Sequence, residues 1–142
     1  MKKSLIILVL IFPFFTYAQD SLKHIKKIIK YDDLLSFEKY LAEGNDLNDC
    51  YEIEGSSYSI LILSIKFGRK KKFKYCIDNG ADLNQICSDK TPLIYALKYD
   101  QMEFFKKLLI RGADRDAKTM QGRTVVDYAK KYKREAYFDL LK

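Results

Sequence analysis

GADLNQICSDKTPLIYALKYDQMEFFKKLLIRGADRD, residues 80–116, opens and closes on the same three residues, Gly-Ala-Asp at 80–82 and again at 112–114. A related Gly-Asn-Asp-Leu-Asn stands at 44–48. Such return at a fixed interval is the mark of a repeat architecture. Aligning on Thr91 gives the unit. Thr91 to Gly112 is 21 residues, Ser59 to Gly80 is 21, and Lys23 to Gly44 is 21. Thr124 opens a further copy, TVVDYAKKYK. Fourteen residues after each start stands a Phe: Phe37, Phe73, Phe105 and Phe138.

Each unit reads as two short helices. Leu93, Ala96 and Leu97 share one face of the first, and Phe105, Leu108 and Leu109 one face of the second. The same columns hold Leu61, Ser64 and Ile65, then Phe73, Cys76 and Ile77, in the preceding copy. The Ser or Thr at the starts 59, 91 and 124 suits the N-cap, and Pro92 suits the first helical position. Gly80 and Gly112 fall where a helix ends in a left-handed residue. The segments 44–58, 80–90 and 112–123 are then turn-rich connections. One helix pair cannot bury its apolar side alone, so the units must stack.

Thr-Pro-Leu at 91–93, Gly-Ala-Asp-Leu-Asn at 80–84 and Leu108-Leu109 resemble the ankyrin repeat family, in the form of a small exported protein of bacterial type. The resemblance covers about residues 21–142 and is most specific in the third unit. It implies an all-α solenoid of about four stacked helix pairs joined by turn or hairpin connections, with units of about 21–43, 44–79, 80–111 and 112–142. It also implies a binding module with no reaction of its own and no cofactor. Three departures stand out. The His usual after Thr-Pro-Leu is replaced by Ile62, Ile94 and Asp127, which removes a polar network between repeats. The 44–58 connection is three residues longer than the last one. Lys70 and Lys72 occupy positions that are usually apolar, which predicts a looser or more exposed second unit.

Residues 1–18 stand apart from this pattern. Met1-Lys2-Lys3 is a basic start, Leu5 to Phe15 is apolar but for Pro13, and Thr16-Tyr17-Ala18 precedes Gln19. That is the pattern of a secretory signal peptide cleaved after Ala18. Its apolar run is about 11 residues, short of the roughly 20 of a bilayer-spanning helix. The expectation is export to the periplasm or beyond the cell. Without those residues, Lys+Arg falls from 26 to 24 against 19 Asp+Glu, a net charge of +5. A mildly basic surface favours an acidic protein partner and does not point to nucleic acid. Membrane association is expected only if the N-terminal segment is retained.

Cys50, Cys76 and Cys87 are an odd number for an oxidising compartment, so at least one is free or paired between chains. Cys50 and Cys87 lie in connections at corresponding ends of adjacent units and are the candidates for a bridge. Cys76 sits in a core column. His24 is the only imidazole; with no second ligand at metal spacing and no base for a Ser or Cys nucleophile, neither a metal site nor a catalytic site is expected.

Two groups of residues remain as candidate sites. Arg69, Lys70, Lys71, Lys72 and Lys74 crowd a helix start, where the dipole favours anions instead. They are either a solvated helix start or an anion or membrane patch. Seven and eight residues after each start stand Lys30-Tyr31, Lys66-Phe67, Lys98-Tyr99 and Lys131-Tyr132. This Lys-aromatic ladder either caps helix ends and covers the next unit, or presents cations and rings to a partner. The family resemblance implies that it borders the concave binding surface.

Overall fold

The computed structural model describes residues 33–142 together with Ile25, Lys27, Ile28 and Tyr31. Residues 1–18, expected from the sequence to be a signal peptide, lie outside the described residues, as do His24 and Lys30. Helix α1 spans Leu34–Ala42. Two helix pairs follow: α2 (Ile60–Lys66) with α3 (Lys70–Asp78), and α4 (Pro92–Lys98) with α5 (Met102–Ile110). Helix α6 (Val125–Lys131) is followed by a 3-10 turn, Glu135–Tyr137, that runs into α7 (Phe138–Leu141).

Short polar side chains set the helix starts. Ser59 accepts the N–H of Ile62 at 3.3 Å, and Thr91 that of Ile94 at 3.3 Å. Thr124 forms a capping box, its own N–H donating to Asp127 at 2.8 Å. Each such bond satisfies a donor the helix start would leave orphaned, worth about 1 kcal/mol. The first helices α2, α4 and α6 pack side by side, while α3 and α5 pack mainly on their own partners. One core runs through all units. Leu61, Ile65, Phe73 and Cys76 are buried in one pair, and Leu93, Leu97, Phe105 and Leu108 in the next. Burial pushes the Cys76 thiol up to about 12, so it behaves as a small apolar side chain.

The recurring Gly-Ala-Asp now has a physical account. Gly80 and Gly112 take φ of +78° and +91°, just past their helices, a conformation that costs glycine little. Ala81 and Ala113 are buried, and their N–H groups donate back to Cys76 and Leu108 at 2.9 Å each. Asp82 and Asp114 turn the chain by accepting from the N–H of Asn84 and Asp116, each at 2.8 Å. Each word is a helix stop, a buried spacer and a turn.

The connections also bind the units to one another. The N–H of Asp82 donates to the side chain of Asn48 at 2.8 Å, and that of Asp114 to Asn84 at 2.9 Å. This ladder supplies polar contacts between repeats from the connections, where the sequence shows the helical His to be missing. The longer 44–58 connection holds a hairpin, β1 (Tyr51–Ile53) against β2 (Ser56–Tyr58), closed by Glu54 and Gly55 with positive φ. Ser57 N–H donates to the Ser88 hydroxyl of the next connection, and Met120 N–H to Asp89 at 2.9 Å. Cys50 and Cys87 form a disulfide between the same two connections, their Cα atoms 5.9 Å apart.

Two expectations need correction. Lys72 does not loosen the second unit. It is 1% exposed, and its ammonium donates to the carbonyls of Ile28 and Tyr31. Lys72 lies four residues before Cys76 and so shares its buried face. Its counterpart in the third unit is the buried Phe104, which stacks on Phe73 with ring centres 4.3 Å apart. In the last unit Tyr137, and not Phe138, is the fully buried ring. It packs edge-on against Phe105, and its hydroxyl donates to Asp100 at 3.0 Å. The 3-10 turn shifts the buried position by one residue.

Candidate functional site

The Lys-aromatic ladder is built by one device used three times. Lys66, Lys98 and Lys131 are the last residues of α2, α4 and α6. Phe67, Tyr99 and Tyr132 are the C-caps, with φ of −102°, −91° and −90° and ψ between 2° and 8°. The next residue is left-handed each time: Gly68, Asp100 and Lys133. Equal backbone geometry aims each lysine and ring alike. A cation at a helix C-terminus is favourable, so the ladder serves its helices whatever else it does.

Each ammonium lies over rings. Lys66 is 4.3 Å from the centre of Tyr58 and 5.5 Å from that of Phe67. Lys98 lies 5.9 Å from Tyr95 and 5.3 Å from Tyr99. Lys131 lies 5.8 Å from Tyr128 and 6.0 Å from Tyr132. Such cation–ring contacts are worth about 0.5–1 kcal/mol where exposed. Phe67 is 46% exposed and Tyr99 and Tyr132 are half-buried, so all three rungs keep ring surface open. Of the first rung, Tyr31 is exposed.

Sequence reading missed the floor under this ladder. Tyr95 and Tyr128 are buried beneath Lys98 and Lys131, and Tyr58 packs on Tyr95 with ring centres 5.7 Å apart. Lys90, from the connection, reaches within 5.7 Å of the centre of Tyr128. The signal was there in part: Tyr95 and Tyr128 both stand four residues after a unit start. Tyr58 and Lys90, each just before a start, read only as connection residues. Burial raises the Tyr58 phenol, but hydrogen bonds from Lys66 and Ser56 outweigh it and hold it below its ordinary value. Burial, then Tyr58, pushes Tyr99 up to about 12. Burial, then Lys98, pulls Lys90 down. A cleft of about 430 Å³ at the far end of the ladder is lined by Arg123, Asp127, Tyr128 and Lys131.

The basic run at 69–74 is not one patch. Lys72 is withdrawn into the core, as described above. Lys70 pairs with Glu103 at 2.7 Å, and Lys74 pairs with Asp78. Lys107 and Arg111 of the neighbouring helix share those two carboxylates, at 2.8 and 3.0 Å. The lysines hold Glu103 down at about 2. The five side chains do not present a common cationic surface, because one is buried and two are matched by acid. By contrast Lys66, Lys90, Lys98 and Lys131 take part in no ion pair within 4 Å among the described residues. Among those residues, also, no helix is long and apolar enough to cross a membrane.

Helix pairs stacked through their first members, with a hydrogen-bonded turn closing each unit, define a repeat solenoid. A family model described as ankyrin repeats (3 copies) matches residues 26–120, and the chain belongs to the ankyrin repeat family. No curated protein matches the chain. Ankyrin repeats are generally protein–protein interaction modules and typically carry no catalysis.

Proposed function

We propose that this chain is an exported ankyrin module that binds a protein with an acidic surface through its concave side. The binding residues are Lys66, Phe67, Lys98, Tyr99, Lys131 and Tyr132, together with Lys30 and Tyr31, which hold the same places in the sequence of the first unit. One observation carries the reading. Lys70, Lys74, Lys107 and Arg111 on the outer side share Glu103 and Asp78, whereas Lys66, Lys90, Lys98 and Lys131 meet no carboxylate within 4 Å among the described residues. Four like charges gathered over rings, none in an ion pair among the described residues, favour an anion from outside. The close packing of α2, α4 and α6 relative to α3 and α5 supports a curvature with this face inside.

Export rests on the N-terminal pattern, the basic start, short apolar run and Thr16-Tyr17-Ala18. The Cys50–Cys87 bridge suits the oxidising compartments beyond the cytoplasm. Mass spectrometry of the N-terminus tests it: a chain beginning at Gln19 supports export, and one retaining Met1-Lys2-Lys3 favours an anchored envelope protein. The binding face is tested by affinity capture from envelope extract with wild type and Lys98→Glu side by side. Proteins retained by wild type and lost with Lys98→Glu support the face. Identical capture by both refutes it.

A further inference from the structure

The rungs repeat because the helices that end in them repeat. Side-by-side helices pack about 8–10 Å apart, so Lys66, Lys98 and Lys131, at equal places on α2, α4 and α6, recur at about that interval. A ligand that engages all three must offer anions at the same pitch, on one side of its chain. A β-strand repeats on one side at about 6.7 Å, every second residue, which is too short. A polyproline II chain has three residues per turn and a 3.1 Å rise, so every third side chain returns at about 9.3 Å. An α-helix comes near the pitch only over seven residues, and its body of about 10–12 Å asks for an apolar groove. This face offers separate rings between ammonium tips: Phe67 open, Tyr99 and Tyr132 half-open. Rings in a row are what polyproline II segments dock on.

Granted that this is the partner-binding face, we infer that it takes an extended polyproline II segment carrying an acidic side chain at every third position. Consecutive acids sit on Lys66, Lys98 and Lys131, and the two residues between them lie against Phe67, Tyr99 and Tyr132. Lys90, beside Lys98 and Lys131 and over Tyr128, adds a fourth cation at the last rung. The segment arrives with little conformational freedom left to lose, which is how such ligands bind through few contacts.

The test uses fluorescein-labelled peptides and the full exported chain, read by fluorescence anisotropy. The probes are (Pro-Pro-Glu)4, its isomer with eight prolines followed by four glutamates, and an alanine-rich helix with glutamate at every seventh position. The periodic peptide is expected to bind at least about fivefold more tightly than either other probe, since only it meets every rung. Lys98→Glu should lower its affinity about tenfold and Lys74→Glu, on the outer helices, by less than about twofold. Lys98→Gln replaces Lys98→Glu if the reversed charge at the helix end disturbs folding. Equal binding of the block isomer, with both peptides lost in Lys98→Glu, overturns the spacing and leaves the face in place. Tighter binding of the helical probe, or no binding of the periodic one, also overturns the inference. Binding indifferent to Lys98 overturns the inference and the face together.

Discussion

Lys72 and Phe105 mark the two ends of what a single residue discloses. Phe105 was legible: its column holds Phe in every copy, and it is fully buried, edge-on to Tyr137. Phe105→Ala should lose about 3–5 kcal/mol, the usual cost of deleting a buried aromatic ring. Urea unfolding measures it, and a loss under about 1 kcal/mol would mean that the register is wrong. Lys72 was misread because a run of five cations in one dimension looks like one surface. A helix separates such a run by 100° per residue. The alignment held the correction, since Lys72 falls in the column of buried Phe104. Its ammonium then meets the carbonyls of Ile28 and Tyr31, more than 40 residues away in the chain, and no one-dimensional pattern shows that pairing.

At the scale of the element, the helices were legible and their links were not. Ser59, Thr91, Thr124, Gly80 and Gly112 are local signals, each acting within a few residues of itself. The hydrogen bonds from Asp82 to Asn48 and from Asp114 to Asn84 join residues 34 and 30 apart, and only the stack brings them together. The same is true of the ion pairs joining α3 and α5, Lys70–Glu103 and Asp78–Arg111. Hydrogen bonds from Lys107 and Lys70 hold Glu103 at about 2, and those from Lys74 and Arg111 lower Asp78. Both values are depressed in the folded chain. Their stabilisation is therefore complete above the ordinary value near 4.5 and is lost as pH falls toward 2. The midpoint of urea unfolding should drop between pH 5 and pH 2.5, and drop less in a Glu103→Gln, Asp78→Asn double variant. These side chains are exposed, so added salt should shrink the difference. Equal drops in the variant and wild type would mean that the pairs contribute nothing.

Across the whole molecule, repetition made the solenoid readable, while the floor of the ladder lay hidden. Tyr58 and Lys90 come from connections, and they join Tyr95 and Tyr128 only when adjacent units stack. The Cys50–Cys87 bridge belongs to this scale too, since it crosses between units over 37 residues of chain. Oxidised protein should show one reactive thiol when denatured, that of Cys76, and three would contradict the bridge. Cys87→Ser should cost about 2–4 kcal/mol, because the open loop regains freedom when unfolded.

The central claim is that one face of the stack, and not its overall basic charge, recognises the partner. The most direct measurement compares two variants of equal charge change, Lys98→Glu on the inner helices and Lys74→Glu on the outer. Circular dichroism first establishes that both are folded. Binding kinetics against the protein captured by wild type are then recorded at low and high salt. The expected result is that Lys98→Glu slows association most at low salt and weakens binding by about 2 kcal/mol, while Lys74→Glu stays near wild type. Equal loss in both variants, or wild-type kinetics for a folded Lys98→Glu, would contradict it.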